Sequence, residues 1–155
     1  MAITRKEFLC KMAVGGVILG ASSTVASFLA SCSLPNEPQG TSLPTTTGTV
    51  SGNKITIDIS PGSPLVQNGF VIVQYSGDSV LVAHADDGSY HAMTSICTHQ
   101  GCIIDQYNSS SKHFVCACHG SQFSNTGAVI NGPASTPLKQ YATTVSGNQL
   151  IITIA

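Results

Sequence analysis

The stretch Lys54-Ile55-Thr56-Ile57-Asp58-Ile59 alternates polar and apolar residues with a period of two. That period sets the isoleucines on one side of an extended chain, so the segment reads as a strand with one buried face. Pro61-Gly62-Ser63-Pro64 stops it. Downstream, Phe70 to Tyr75, Ser79 to His84 and Tyr90 to Ser95 are further β-rich runs, with turn signals at Gly77-Asp78 and Asp86-Asp87-Gly88. His113-Phe114-Val115 reads as a short strand, and Tyr141 to Val145 and Gln149 to Ile154 flank Ser146-Gly147-Asn148 as a last hairpin. No segment of ten or more residues beyond Asn53 has helical spacing. The expected fold over residues 54–155 is all-β, an antiparallel β-sandwich or small open barrel.

Upstream of Lys54 the pattern changes. Residues 33–53 hold Pro35, Pro38, Pro44 and Thr45-Thr46-Thr47 without periodic apolar positions, and read as a flexible tether. As a coil its 21 residues would span about 25 Å, or roughly 65 Å when stretched. Residues 1–32 read as an export signal. Arg5 and Lys6 precede an apolar run from Met12 to Ala30, and Leu29-Ala30-Ser31-Cys32 is similar to a bacterial lipobox with Cys32 as the lipid anchor. The alternative is a retained membrane helix; the glycines, serines and terminal Cys favour the lipoprotein. Thr4-Arg5-Lys6-Glu7-Phe8-Leu9 also resembles a twin-arginine signal with Lys in the second position. Either route puts the domain outside the cytoplasm, on the periplasmic side, tethered to the membrane.

Composition narrows the function. The net charge is −1 and charged residues make up 8% of the chain. Beyond Cys32 the only basic residues are Lys54, Lys112 and Lys139. No basic stripe is available to neutralise phosphates, which argues against nucleic-acid binding. The chain also lacks a Gly-rich phosphate loop, a serine–histidine constellation and a carboxylate pair suited to hydrolysis. A domain of about a hundred residues with no Trp is one that a metal or a disulfide would help to stabilise.

Cysteine supplies the chemistry. Of six cysteines, Cys10 and Cys32 lie in the leader, and the other four fall in two tight loops. The first is Cys97-Thr98-His99-Gln100-Gly101-Cys102, and the second is Cys116-Ala117-Cys118-His119-Gly120-Ser121. Three readings compete. A zinc site would normally group Cys with Cys and His with His, and would leave two cysteines over. A disulfide framework leaves both histidines unexplained. An iron–sulfur cluster with two thiolates on one iron and two imidazoles on the other uses all the types present.

The pair C-T-H-Q-G-C and C-A-C-H-G-S resembles the signature of the Rieske iron–sulfur family, of the respiratory type that carries a disulfide, and Gly132-Pro133-Ala134 is similar to its proline loop. The resemblance covers roughly Lys54 to Ala155. It implies one [2Fe–2S] cluster at the tip of the domain, held by Cys97, His99, Cys116 and His119, with Cys102 and Cys118 paired across the loops. It also implies that Ser121 donates a hydrogen bond to a bridging sulfide. Phe123 stands where many respiratory members have a Tyr, and that lost hydroxyl lowers the expected potential. Ala117 stands where the family usually has Pro, and Gln100 where quinol-oxidising members often have Leu. Imidazole ligands make the cluster less negative: such centres span about −150 to +300 mV, against roughly −400 mV for plant-type ferredoxins.

The expectation is a membrane-tethered electron carrier, the iron–sulfur subunit of a quinol-oxidising cytochrome bc-type complex, with His119 as the quinol contact. Catalysis would belong to the assembled complex. The alternatives are a small subunit of a periplasmic oxidoreductase of the arsenite oxidase type, with a molybdenum partner subunit, and an exported zinc-binding structural module. His84, His91 and His113 read as surface or packed imidazoles, and Met93 as core.

Overall fold

The computed structural model describes residues 40–154. The expected leader, with Arg5, Lys6 and the expected anchor Cys32, lies outside the described residues. Thirteen strands and one short helix make up the domain. In chain order they are β1 (Thr41–Ser42), β2 (Thr45–Thr47), β3 (Thr49–Ser51), β4 (Lys54–Asp58), α1 (Pro64–Asn68), β5 (Phe70–Tyr75), β6 (Asp78–His84) and β7 (Tyr90–Thr94). There follow β8 (Gln106–Asn108), β9 (His113–Val115), β10 (Gln122–Ser124), β11 (Val129–Asn131), β12 (Gln140–Ser146) and β13 (Gln149–Thr153).

Eight strands form one sheet in the order β2-β5-β6-β7-β12-β13-β4-β3. Its two edges, β2 and β3, are consecutive in the chain and joined by Gly48, so the sheet curls into a near-closed barrel. A Cβ at Gly48 would collide with Ile55 Cγ2 and meet Val73 Cγ1 at 3.0 Å; only glycine lets the chain pass this close between the two edges. The alternating isoleucines and valines of β4, β5, β6 and β13 fill the interior: Ile55, Ile57, Val71, Val73, Val80, Val82, Leu150 and Ile152 are all buried. The helix α1 covers this core with Leu65; Ser63 caps its start by accepting from the Val66 N–H, and Pro64 occupies its first turn.

The second sheet, β1-β8-β9-β10-β11, carries the cysteine loops. It packs against the outer face of the barrel wall. Phe70, Ile72, Leu81, Ala83 and Met93 alternate with the barrel-facing valines and join Ile104, Tyr107, Phe114, Phe123, Cys97 and Cys116 in a second core. Strands β5 and β6 are therefore apolar on both faces, which explains the unbroken run Phe70-Val71-Ile72-Val73. Tyr107 is the joint: its ring stacks on Phe70 at 3.9 Å, meets Phe114 edge-on at 5.0 Å, and its hydroxyl donates to Asn125 at 2.8 Å.

One expectation is corrected here. Residues 40–53 are not a free tether. β1 pairs with β8, β2 runs parallel to β5, and β3 pairs with β4. Leu43 is buried in the second core and its N–H bonds to the Asp105 carbonyl. An added edge strand is held by backbone hydrogen bonds, which need no alternating apolar pattern, and β-branched threonines suit it. α1, with five residues, is too short to leave a periodic signature.

Candidate metal centre

The two loops have the same backbone frame. In loop one the Cys97 N–H donates to the Cys102 carbonyl at 2.8 Å, and the Gly101 N–H returns to the Cys97 carbonyl at 2.9 Å. In loop two the Cys116 N–H donates to the Ser121 carbonyl and the Gly120 N–H to the Cys116 carbonyl, both at 2.9 Å. The fifth residue of each turn lies in the left-handed region that favours glycine, with φ of 75° at Gly101 and 77° at Gly120. Loop one rises from the barrel strand β7 through Ser95, whose carbonyl accepts from the Ile104 N–H, and through the bridge Ile96–Ile103. Loop two is the hairpin between β9 and β10.

Within this frame Cys102 and Cys118 form a disulfide that ties one loop to the other. Cys97 and Cys116 remain free thiols, both buried. Burial pushes the Cys116 thiol up, and a hydrogen bond with the Cys97 thiol adds to the shift. The buried Cys116 thiol resists becoming a thiolate on its own; a cation supplies the missing compensation. The rings of His99 and His119 lie 4.8 Å apart, edge to face. His99 Nδ1 is buried with no hydrogen-bond partner among the described residues, a state it shares with His113 Nδ1 and Gln106 Oε1. His99 alone of these stands beside a second imidazole, in a loop that begins with a free thiol. His119 is exposed.

The sulfurs of Cys102, Cys116 and Cys118 lie within 4.8 Å of one another. Two of the three are joined covalently, so only Cys116 of that group is open to a metal. The donor chemistry fits a cluster with mixed ligation: two soft thiols, two imidazoles, and one imidazole nitrogen left unpaired.

A third segment closes over the loops. The Ala134 N–H donates to Ser121 Oγ at 3.0 Å, and the Thr98 hydroxyl donates to the Thr136 carbonyl at 2.7 Å. Ser121 is fully buried and accepts from Ala134, which leaves its own proton free for another acceptor. The segment includes a cis peptide bond between Gly132 and Pro133. Phe123 is fully buried in the core that holds both free thiols. Thr98 was not among the residues expected to matter; its partner lies 38 positions away, and no local pattern marks it.

A Rieske [2Fe-2S] domain model matches residues 57–142, more than half of the chain. The chain belongs to the Rieske [2Fe–2S] family. One [2Fe–2S] cluster is accordingly its cofactor. Among relatives, the chain is 37% identical over 84 residues to the cytochrome b6-f complex iron-sulfur subunit of Chlorobaculum thiosulfatiphilum, covering 54% of this chain and 45% of that one. It is 31% identical over 154 residues to the corresponding subunit of Synechococcus sp. strain CC9605, covering 96% and 83%. The match spans about half the length of the Chlorobaculum subunits, 45% and 52%. Of solved structures, the plasma membrane Rieske protein of Synechocystis PCC 6803 superimposes with a TM-score of 0.54 at 33% identity, over 63% of this chain and 98% of that chain. Among the described residues no helix is long and apolar enough to cross a membrane.

Proposed function

We propose that this Rieske protein is a one-electron carrier, the iron–sulfur subunit of a quinol-oxidising cytochrome bc-type complex. The observation that carries the reading is the clamp itself. Two loops of identical backbone frame, joined by the Cys102–Cys118 disulfide, bring two buried free thiols and two imidazoles to one end of the small sheet. Relatives named as cytochrome b6-f subunits support the choice of complex. Cys97, Cys116, His99 and His119 are the proposed ligands. When bound, the cluster supplies reversible one-electron transfer at a potential raised by its imidazoles.

The chain's own residues do the rest. The disulfide holds the loops at fixed separation, and the segment 132–136 excludes water by closing on Thr98 and Ser121. The exposure of His119, where His99 is half-buried, supports it as the ligand that would meet a quinol hydroxyl and accept its proton. Phe123 offers no hydroxyl in the core beside the thiols, which places the midpoint below that of members with Tyr there and suits a low-potential quinol. The same residue favours a second reading, a small Rieske subunit of a periplasmic oxidoreductase with a molybdenum partner. Tethering outside the cytoplasm through Cys32, by the twin-arginine route, completes the proposal.

An EPR-monitored redox titration of the cluster-loaded protein tests it. A rhombic signal on reduction, with an average g value below two, supports the carrier. Zinc without acid-labile sulfide would leave an exported structural module instead. Co-purification with a cytochrome b selects the first reading, and with a large molybdenum subunit the second.

A further inference from the structure

We propose that Cys116 and the Cys102–Cys118 disulfide form a thiol–disulfide exchange centre in the chain whenever the cluster is not bound. The proposal rests on the ligand reading above and on where the sulfurs lie. The Cys116 sulfur sits within 4.8 Å of both disulfide sulfurs and has no covalent partner of its own. The backbone on either side is fixed by the paired hydrogen bonds of the two loops. Exchange between Cys116 and the disulfide therefore starts from sulfurs already held close together.

The direction of exchange follows from the loops. Attack on Cys118 would close a ring with only Ala117 between the two cysteines, a poor geometry for a disulfide. Attack on Cys102 joins residues from different loops, as the existing bond does. The Cys116 thiolate then forms a bond to the Cys102 sulfur while the Cys102–Cys118 bond breaks. Cys118 leaves as a thiolate and takes up the proton that Cys116 released. One disulfide and two thiols are present before and after, so no oxidant or reductant enters. Cys118 is exposed and Cys116 fully buried, so the departing thiolate is delivered to solvent, which favours its release. Burial of the attacking sulfur makes the step slow, within the minutes-to-hours range of uncatalysed rearrangement.

The product cannot hold the cluster, because Cys116 is spent in the new bond. Cluster binding and correct pairing thus protect each other, and loss of iron becomes self-sealing unless the disulfide is rearranged.

The experiment uses the full chain, purified with its cluster and assayed for iron and sulfide. One portion is kept loaded, and another is stripped with an iron chelator without oxygen and held for a day. Both are quenched in acid, unfolded and labelled with N-ethylmaleimide, and the label is placed at residue 116 or 118 by fragmentation. Of the four loop cysteines, the loaded portion should carry label on Cys97 and Cys116 only. In the stripped portion, label on Cys118 should rise at least about tenfold above that background as Cys102–Cys116 pairing appears. Pairing that stays at Cys102–Cys118 throughout would overturn the proposal. In a Cys116→Ser chain no label should reach Cys118; if it does, another thiol attacks the disulfide and the assignment is wrong. A starting sample free of iron and sulfide would sink the cluster reading, while the exchange would still be read directly from its sulfur pairing.

Discussion

Loop one and loop two close on the same pair of backbone hydrogen bonds, yet they stand on different supports. Loop one is continuous with the barrel: Ser95 leaves β7 with its hydroxyl donating to the Ser79 carbonyl at 2.9 Å, and Ile104 returns a hydrogen bond to Ser95. Loop two belongs wholly to the small sheet. The histidine is the third residue of loop one and the fourth of loop two, and the bridging cysteine moves from the sixth position to the third. One frame with shifted residues gives a half-buried imidazole on one side and an exposed one on the other. The comparison teaches that the backbone fixes the clamp, while the residue offsets decide which imidazole faces the outside.

The largest effects should come from the first residue of each loop. Cys97→Ser and Cys116→Ser should each leave no iron or acid-labile sulfide; retention in either variant would remove that loop from the ligand set. Breaking the tie between the loops comes next. Cys102→Ser and Cys118→Ser remove a bond spanning 16 positions, worth about 3 kcal/mol, and should lower the thermal midpoint by roughly 10–20 °C. Equal losses are expected because the bond is shared; unequal ones would show that one loop relies on it more.

The glycines sharpen the equivalence of the frames. Nothing lies within 4 Å of a Cβ added at Gly101 or Gly120, so Gly→Ala at either costs only the left-handed backbone, about 1–2 kcal/mol. Denaturant melts that match in the two variants would support the shared frame. Two residues past each loop sits a fully buried apolar residue, Ile104 or Phe123. Phe123→Tyr should raise the midpoint potential, whereas Ile104→Val should leave it unchanged and cost about 1 kcal/mol of stability. A flat or falling potential in Phe123→Tyr would cancel the low-potential argument.

The smallest effect lies far from the clamp. Hydrogen bonds from the Ser89 side chain and backbone hold the exposed Asp87 carboxyl below its usual 3.8. Its folded value is depressed, so its contribution is present above 3.8 and is lost as pH falls through the lower folded value. Asp87→Asn should slightly flatten acid unfolding there and leave the cluster untouched.

The barrel strands and the clamp were legible for different reasons. Ile55 and Ile57, or Leu150 and Ile152, repeat at the strand period because one side of each strand is buried. The cysteine loops were legible because few chemistries ask for that mixture of residues at that spacing. β8, β10 and β11 span three residues each, too few for a period. Segments 41–42, 45–47 and 49–51 join sheets through backbone groups, which side-chain patterns do not report. The links Thr98–Thr136 and Ser121–Ala134 are set by how the chain returns on itself, and no local sequence rule encodes that.

The strands at residues 41–51 also set a leash. With the anchor proposed at Cys32, the chain between it and Gly40 is residues 33–39, seven in all, against the 21 that the sequence alone assigned. Seven residues reach at most about 25 Å. The domain would then patrol a shallow layer at the membrane surface, where a short tether raises its effective concentration toward any partner within range and excludes every partner beyond it.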